Sequence, residues 1–281
     1  MSEELTLSQL YALYDMTTRR CLFENKMHWN GHRSVYIVKR NNKDVILKVF
    51  THHQAWQREK TILEDALPDL VAMNHAYTVY NGSKTYYIIE MEKADCDLLT
   101  YIADGISDEG EARRVFAKIV RCCKNALDQH VAHRDLKLEN ILVFDNGNVL
   151  KLTDLELSCY CDDGLFSRRS DQVGTWTQMC PNKLNGVAYN VIKSEVWSLG
   201  VLLYNLITGR HLYEATRHST DDTFQTIYER KWEMKGVSAS LKDLFGKMLD
   251  PDEKARISLE GILEHPWVVA GENKENTKHI N

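Results

Sequence analysis

A chain of 281 residues, 43% hydrophobic and 27% charged, has the length and composition of an ordinary globular protein with a sizeable core. Four prolines and fourteen glycines exclude a collagen-like stretch or a long flexible linker. The net charge of −5 argues against direct nucleic-acid binding and suits basic protein partners.

Met1-Ser2-Glu3-Glu4 is acidic and lacks the basic-then-apolar order of a signal peptide. Seven scattered cysteines, an odd number, suit reduced thiols, so an intracellular protein, cytoplasmic or nuclear, is expected. Neither Cys122-Cys123 nor Cys159-x-Cys161 has a second ligand pair at zinc spacing. In residues 5–20, Leu7, Leu10, Tyr11 and Tyr14 share one helical face, with Arg19 and Arg20 at the C-terminal end. Residues 1–20 are therefore read as a helical extension that either packs on the following domain or forms a homodimer contact.

Residues 35–50 hold two apolar or alternating runs around Asn41-Asn42-Lys43-Asp44, which predicts a hairpin. A polar helix is expected from His53 to Leu67, then a second hairpin around Asn81-Gly82. Helical patterns dominate afterwards, at Glu109–His130, Lys193–Thr208, Asp222–Lys231, Ser238–Leu249 and Ser258–His265. A strand-rich first third and a helix-rich remainder predict two lobes joined near Glu92 to Asp97. The apolar stretch Val196–Gly209 is too short to span a membrane and is interrupted by Ser198 and Asn205, so no membrane association is expected. Residues 269–281 read as a polar tail, disordered by composition.

The segment Ala132 to Phe144, AHRDLKLENILVF, crowds His, Arg, Asp, Lys, Glu and Asn against four apolar residues. Ile141–Phe144 reads as a short, well-buried strand closed by the turn Asp145-Asn146-Gly147-Asn148. Polar groups at the mouth of such a strand are held rigidly where they can act on a ligand.

These residues resemble the catalytic loop of the eukaryotic-type protein kinases. His133-Arg134-Asp135 followed by Asn140 fits H-R-D-x-x-x-x-N, Asp154 fits the Asp of D-F-G, and Lys48 in VILK fits the lysine of V-A-I-K. Glu59 fits its ion-pair partner, while GTWTQMCPN, SEVWSLGVLLYNLITGR, Arg256 and LEHPW complete the series from about residue 21 to 268. The resemblance implies an α+β, bilobal kinase fold, with a small β-rich N-lobe over 21–94 and a larger helical C-lobe over 95–268.

It also implies ATP and Mg²⁺ as cofactors and protein substrates. Phosphoryl transfer depends mainly on positioning and cation placement. Lys48, oriented by Glu59, would hold the α/β-phosphates; Gly31, Val35, Glu92 and Leu142 would line the nucleotide site. Asn140 and Asp154 are hard oxygen donors for the metal. Asp135 would accept the substrate hydroxyl proton and Lys137 would steady the phosphoryl group. Lys137 and Thr175 resemble the serine/threonine branch, and the compact, eroded pattern resembles the very late protein kinases of baculoviruses. Asp97 and Glu139 occupy the places where arginine-directed relatives receive substrate arginines, while the third such acid is Asn205. Asp171 sits where relatives carry a phosphorylated threonine that pairs with Arg134; Ser170 is the rival regulatory residue.

Several positions depart from the family pattern. The glycine loop is reduced to HWNGHRSV, Ile46 replaces the usual alanine and should crowd adenine, and D-F-G is Asp154-Leu155-Glu156. A-P-E is Cys180-Pro181-Asn182, so Arg256 is expected to lose its charged partner, and Glu195 replaces an aspartate. The competing reading is a pseudokinase acting by protein contact, which these departures favour and the complete catalytic set opposes.

Overall fold

The computed structural model describes residues 21–29, 33–103, 105–106, 108–161, 168–212, 234 and 236–270. The helix expected over 5–20, Gly31, the helix expected over 222–231, and 271–281 of the tail lie outside the described residues. Two compact units emerge: one runs to Asp95 and takes in Asp154–Glu156, and the other comprises Cys96–Thr153 and the described residues from Leu157 onward.

The first unit is built on an antiparallel sheet of β1 (Cys21–Trp29), β2 (Arg33–Arg40), β3 (Lys43–Phe50), β4 (Met73–Asn81) and β5 (Lys84–Glu92), in the order β1-β2-β3-β5-β4. Strand β1 was not anticipated, and both hairpins were. Period-two alternation buries Tyr36, Val38, Val45, Leu47, Val49, Val79, Tyr86 and Ile88 in one cluster. The alternate residues fall on the opposite face, where Val35 stands across from Lys48 and Ile37 from Ile46. Helix α1 (His53–Glu64) ends three residues earlier than expected: Ala66 turns left-handed at φ 50°, and Pro68 disfavours helical geometry at Leu67.

In the second unit, α2 (Leu98–Tyr101) and α3 (Glu109–Asp128) precede β7 (Val131–Ala132) and the strand β8 (Ile141–Phe144). Strand β8 is the centre of a small antiparallel sheet between β6 (Cys96–Asp97) and β9 (Val149–Leu152). The short strand expected at Ile141–Phe144 is present, with Ile141 and Val143 buried and Leu142 and Phe144 half-buried. The closing turn is as expected, with Asp145, Asn146 and Gly147 all at positive φ. Further on come β10 (Cys159–Tyr160), β11 (Arg168–Arg169), α4 (Pro181–Leu184) and β12 (Tyr189–Asn190).

Helix α5 (Val191–Thr208) is buried nearly all round, as a core helix of a large domain must be. No helix among the described residues is long and apolar enough to cross a membrane. Asn190 caps its N-terminus through Lys193 N–H, and Gly209 at φ 64° ends it. Gly200 lets α6 (Ala239–Met248) and Leu249 approach closely, since a Cβ there would lie 2.8 Å from Leu249 Cδ2. The pattern at Ser258–His265 resolves into α7 (Leu259–Leu263) and α8 (Pro266–Val269); Ser258 caps the first and His265 the second. Val269, assigned to the tail by composition, is helical.

Candidate active site

In the first unit, Lys48 lies in β3 and Glu59 in α1, both buried, and Lys48 pairs with Glu59 and with Asp154. Lys48 Nζ donates to Glu59 Oε1 at 2.8 Å and Oε2 at 2.6 Å, and to Asp154 Oδ1 at 3.0 Å. Glu59 is fully buried; burial pushes its carboxyl up and Lys48 pulls it back only in part. Asp154 adopts a left-handed backbone, φ 67°, a strained position for a residue with a side chain. Burial opposes its ionisation, but Lys48 and Arg33 prevail and hold its carboxyl well below the usual range. Arg33 grips both oxygens of Asp154, Nη2 reaching Oδ2 at 2.6 Å, and its Nη1 lies 3.3 Å from Glu156 Oε2.

Val35 and Ile46 share the Lys48 face of the sheet, both half-buried. Ile46 therefore stands beside the lysine as expected but outside the buried cluster. Glu92 is tied to Ala72, its carboxylate accepting the Ala72 N–H at 2.6 Å and its own N–H donating to the Ala72 carbonyl at 3.0 Å.

In the second unit the catalytic-loop residues converge. Asp135 Oδ1 accepts the Thr175 N–H at 2.7 Å; Oδ2 accepts Asn140 Nδ2 at 3.1 Å and faces Lys137 Nζ at 3.2 Å. Lys137 Nζ also donates to Thr175 Oγ1 at 3.0 Å. Burial would raise the Asp135 pKa, yet Lys137 and the Thr175 hydrogen bond keep it below the ordinary value, so the carboxylate is ionised at neutral pH. Gly174 is required here: its φ is 108°, and a Cβ would sit 2.6 Å from the Arg134 carbonyl oxygen. The Asn140 amide nitrogen is spent on the Asp135 carbonyl at 2.8 Å and on its carboxylate, which leaves Oδ1 for a hard cation.

A protein kinase domain matches residues 25–268. The chain belongs to the protein kinase family. Similar proteins include the SNF-related serine/threonine-protein kinase of Rattus norvegicus, 32% identical over 201 residues, 70% of this chain and 26% of the relative. The CBL-interacting protein kinase 5 of Oryza sativa is 30% identical over 244 residues, 83% of this chain and 50% of the relative. The serine/threonine-protein kinase Aurora-1 of Arabidopsis thaliana is 30% identical over 256 residues, covering 85% of this chain and 82% of that one. The chain thus spans about a quarter of the rat relative and half of the rice one.

The departures from the kinase pattern have visible substitutes. Glu195, one methylene longer than the usual aspartate, accepts the His133 N–H at 3.3 Å and the Arg134 N–H at 2.8 Å, and burial raises its pKa. Those bonds support Arg134 in its left-handed conformation, φ 71°. Arg256 did lose a charged partner, but it is buried against backbone carbonyls, Nε on Asp250 O at 2.9 Å and Nη1 on Lys193 O at 2.7 Å, over the Trp197 ring. Asn182 points instead at Glu253.

The substrate and regulatory positions divide. Asp97 caps α2, accepting the Thr100 N–H at 2.7 Å, whereas Glu139 is exposed. Leu142 pairs in register with Asp97, half-buried. Asn205 is buried and bonded to the Arg210 carbonyl at 2.6 Å. Arg134 Nη2 meets Asp171 Oδ2 at 2.5 Å, and the Tyr189 hydroxyl, which also accepts from Arg134, donates to Asp171 at 3.2 Å. Tyr189 was missed from sequence; its pairing with the activation segment arises only when β11 meets β12. Ser170 is exposed. Among the described residues, no group of three His, Cys, Asp or Glu could hold a metal, and Cys96, Cys122, Cys123, Cys159, Cys161 and Cys180 are free thiols.

Proposed function

We propose that the chain is a serine/threonine protein kinase that transfers the γ-phosphate of ATP to Ser or Thr hydroxyls. The observation that carries this reading is the Asp135 carboxylate: buried, kept ionised, and fixed by Thr175, Asn140 and Lys137. Such a base takes the hydroxyl proton as the new P–O bond forms and the bond to the β-phosphate oxygen breaks, releasing ADP. Lys137, shared between Asp135 and Thr175, is poised to steady the phosphoryl charge. Lys48 would hold the phosphates; the Asp154 carboxylate in the first unit and Asn140 Oδ1 in the second are each hard donors suited to Mg²⁺. When bound, the ion supplies charge neutralisation of the phosphates.

Serine/threonine specificity rests on the Lys137–Thr175 contact and on the names of the relatives. Substrates basic around the acceptor follow from exposed Glu139 and, more weakly, from Asp97, whose carboxylate already caps a helix. A peptide array showing no loss on replacing upstream arginine would remove that preference. Asp171 supplies the loop's ordering charge in place of a phosphate: it carries less charge than a phosphoryl group but already engages Arg134 and Tyr189. Bacterial protein treated with phosphatase should remain active as wild type and Ser170→Ala and lose activity as Asp171→Ala. Loss of wild-type activity on phosphatase treatment would transfer the role to Ser170.

The scaffold reading has one observation in its favour, the Arg33 guanidinium against Asp154. Radiolabelled phosphate transfer to a basic protein mixture, with Asp135→Asn as control, separates the two. Labelling that depends on Asp135 establishes the kinase; nucleotide binding without labelling establishes the scaffold.

A further inference from the structure

Two departures from the kinase pattern meet in the first unit. Counted back from Val35, the third glycine of G-x-G-x-x-G-x-V falls at Arg33, and the glycine of D-F-G falls at Glu156. Both glycines are thus replaced by residues of opposite charge, and the two side chains face each other, Arg33 Nη1 to Glu156 Oε2 at 3.3 Å. The same guanidinium forks onto both carboxylate oxygens of Asp154. Arg33 and Asp154 side chains are only 12% and 13% exposed, so the pair is poorly screened by water. Neither side chain arrives by chance: Arg33 starts β2 in register with Phe50, and the Glu156 carbonyl is pinned by Arg58 Nη1 at 2.7 Å.

We propose that Arg33 and Glu156 form a cation latch on Asp154, in which Arg33 competes with the divalent ion for that carboxylate and Glu156 keeps the displaced guanidinium beside it. A hard dication needs an Asp154 oxygen, and the guanidinium holds both. The cluster of Lys48, Arg33, Glu59, Asp154 and Glu156 contains two cations and three carboxylates, a formal charge of −1. Neutralising Arg33 makes it −2 and at once releases Asp154 Oδ2, leaving Oδ1 with Lys48 alone. The latch makes this kinase demanding of metal, a specificity determinant set by a residue outside the shared catalytic set. It rests on the kinase reading only in taking Asp154 as the metal's ligand.

The test is Mn²⁺ titration of the full chain without nucleotide, with free ion counted by electron paramagnetic resonance and folding checked by melting. Arg33→Gln should lower the Mn²⁺ Kd by about tenfold, the order expected for removing one nearby positive charge from a dication's site. Arg33→Lys keeps the charge but cannot fork onto two oxygens, so its Kd should fall by less, and it serves if the glutamine variant does not fold. An unchanged or weaker Mn²⁺ affinity in the folded variant overturns the latch. Phosphate transfer is assayed separately, so tightened Mn²⁺ binding in a protein that labels nothing supports the latch while sinking the kinase reading.

Discussion

The two units hold their charged groups by different means. In the first unit, side-chain charges answer one another directly: Lys48 against Glu59 and Asp154, Arg33 against Asp154 and Glu156. In the second, ion pairs such as Asp135–Lys137 and Arg134–Asp171 stand beside buried polar groups held by backbone and neutral partners, with Glu195 on two N–H groups, Asp135 also on Thr175 N–H and Asn140, and Arg256 on two carbonyls. The contrast explains which departures each half tolerates. A charge cluster absorbs an intruding charge if a counter-charge enters with it, as Arg33 and Glu156 do. A backbone-anchored loop absorbs the loss of a charged partner, because peptide dipoles take its place, as they do for Arg256.

The sharpest way to break the contrast is Lys48→Met. Phosphate transfer should fall by orders of magnitude, and stability by about 3–5 kcal/mol, because the fully buried Glu59 carboxylate is left unpaired. Burial already raises the Glu59 pKa in the folded state, and losing Lys48 removes the main opposing influence. A raised folded pKa gives stability that is present at low pH and lost as pH rises through it. The deficit should therefore narrow on going from about pH 8 to about pH 6, and Glu59→Gln should relieve it. Chemical denaturation of the single and double variants across that range checks the point; a pH-independent deficit would show that Glu59 is not its source.

The corresponding break in the second unit is Glu195→Ala, which strands the His133 and Arg134 N–H groups in a buried place. Each costs about 1–3 kcal/mol, and the variant should melt several degrees below wild type; because burial raises the Glu195 pKa, the deficit should narrow as pH rises through it, the reverse of Lys48→Met. Glu195→Asp, the family's usual residue, should lose less. A Glu195→Ala deficit that narrows as pH falls, as that of Lys48→Met should, would erase the distinction between the units.

Ile46→Ala sharpens the account of the nucleotide side. Ile46 shares the Lys48 face and is half-buried, so truncation should cost less than the ~2–5 kcal/mol of a core deletion. The KM for ATP should fall modestly in steady-state assays; a rise would show that Ile46 supports adenine rather than crowding it.

The smallest effect concerns Cys159, where the Cys161 hydrogen bond, opposed by burial and helped by Arg134 and Arg169, brings the thiol down to about 6. Its alkylation, followed by peptide mass spectrometry, should reach half-maximal rate near that pH rather than at the ~8.5 of a free cysteine. A midpoint above 8 would show that the Cys161 hydrogen bond and the two arginines do not stabilise the thiolate.

Element types were largely legible in the sequence because the apolar period is local: two hairpins around Asn-rich turns, α3, α5 and α6 all follow from spacing that a few residues carry. Lys48, Glu59, Asp135, Asn140 and Asp154 were legible as an ordered set whose residue types suit phosphoryl chemistry. Strand β1 and the C-terminal end of α1 were not, since CLFENKMHW carries no clean alternation and Ala66 gives no warning of its left-handed turn. Nor could spacing show that Tyr189 would meet Arg134 and Asp171, that Glu195 would reach two N–H groups despite its extra methylene, or that Arg33 would close on Asp154 and Glu156 from more than a hundred residues away. Residue type and order determine which chemistry is present. Which charges neutralise one another depends on long-range contacts that cost loop entropy and form only when the sheet and the helices have packed.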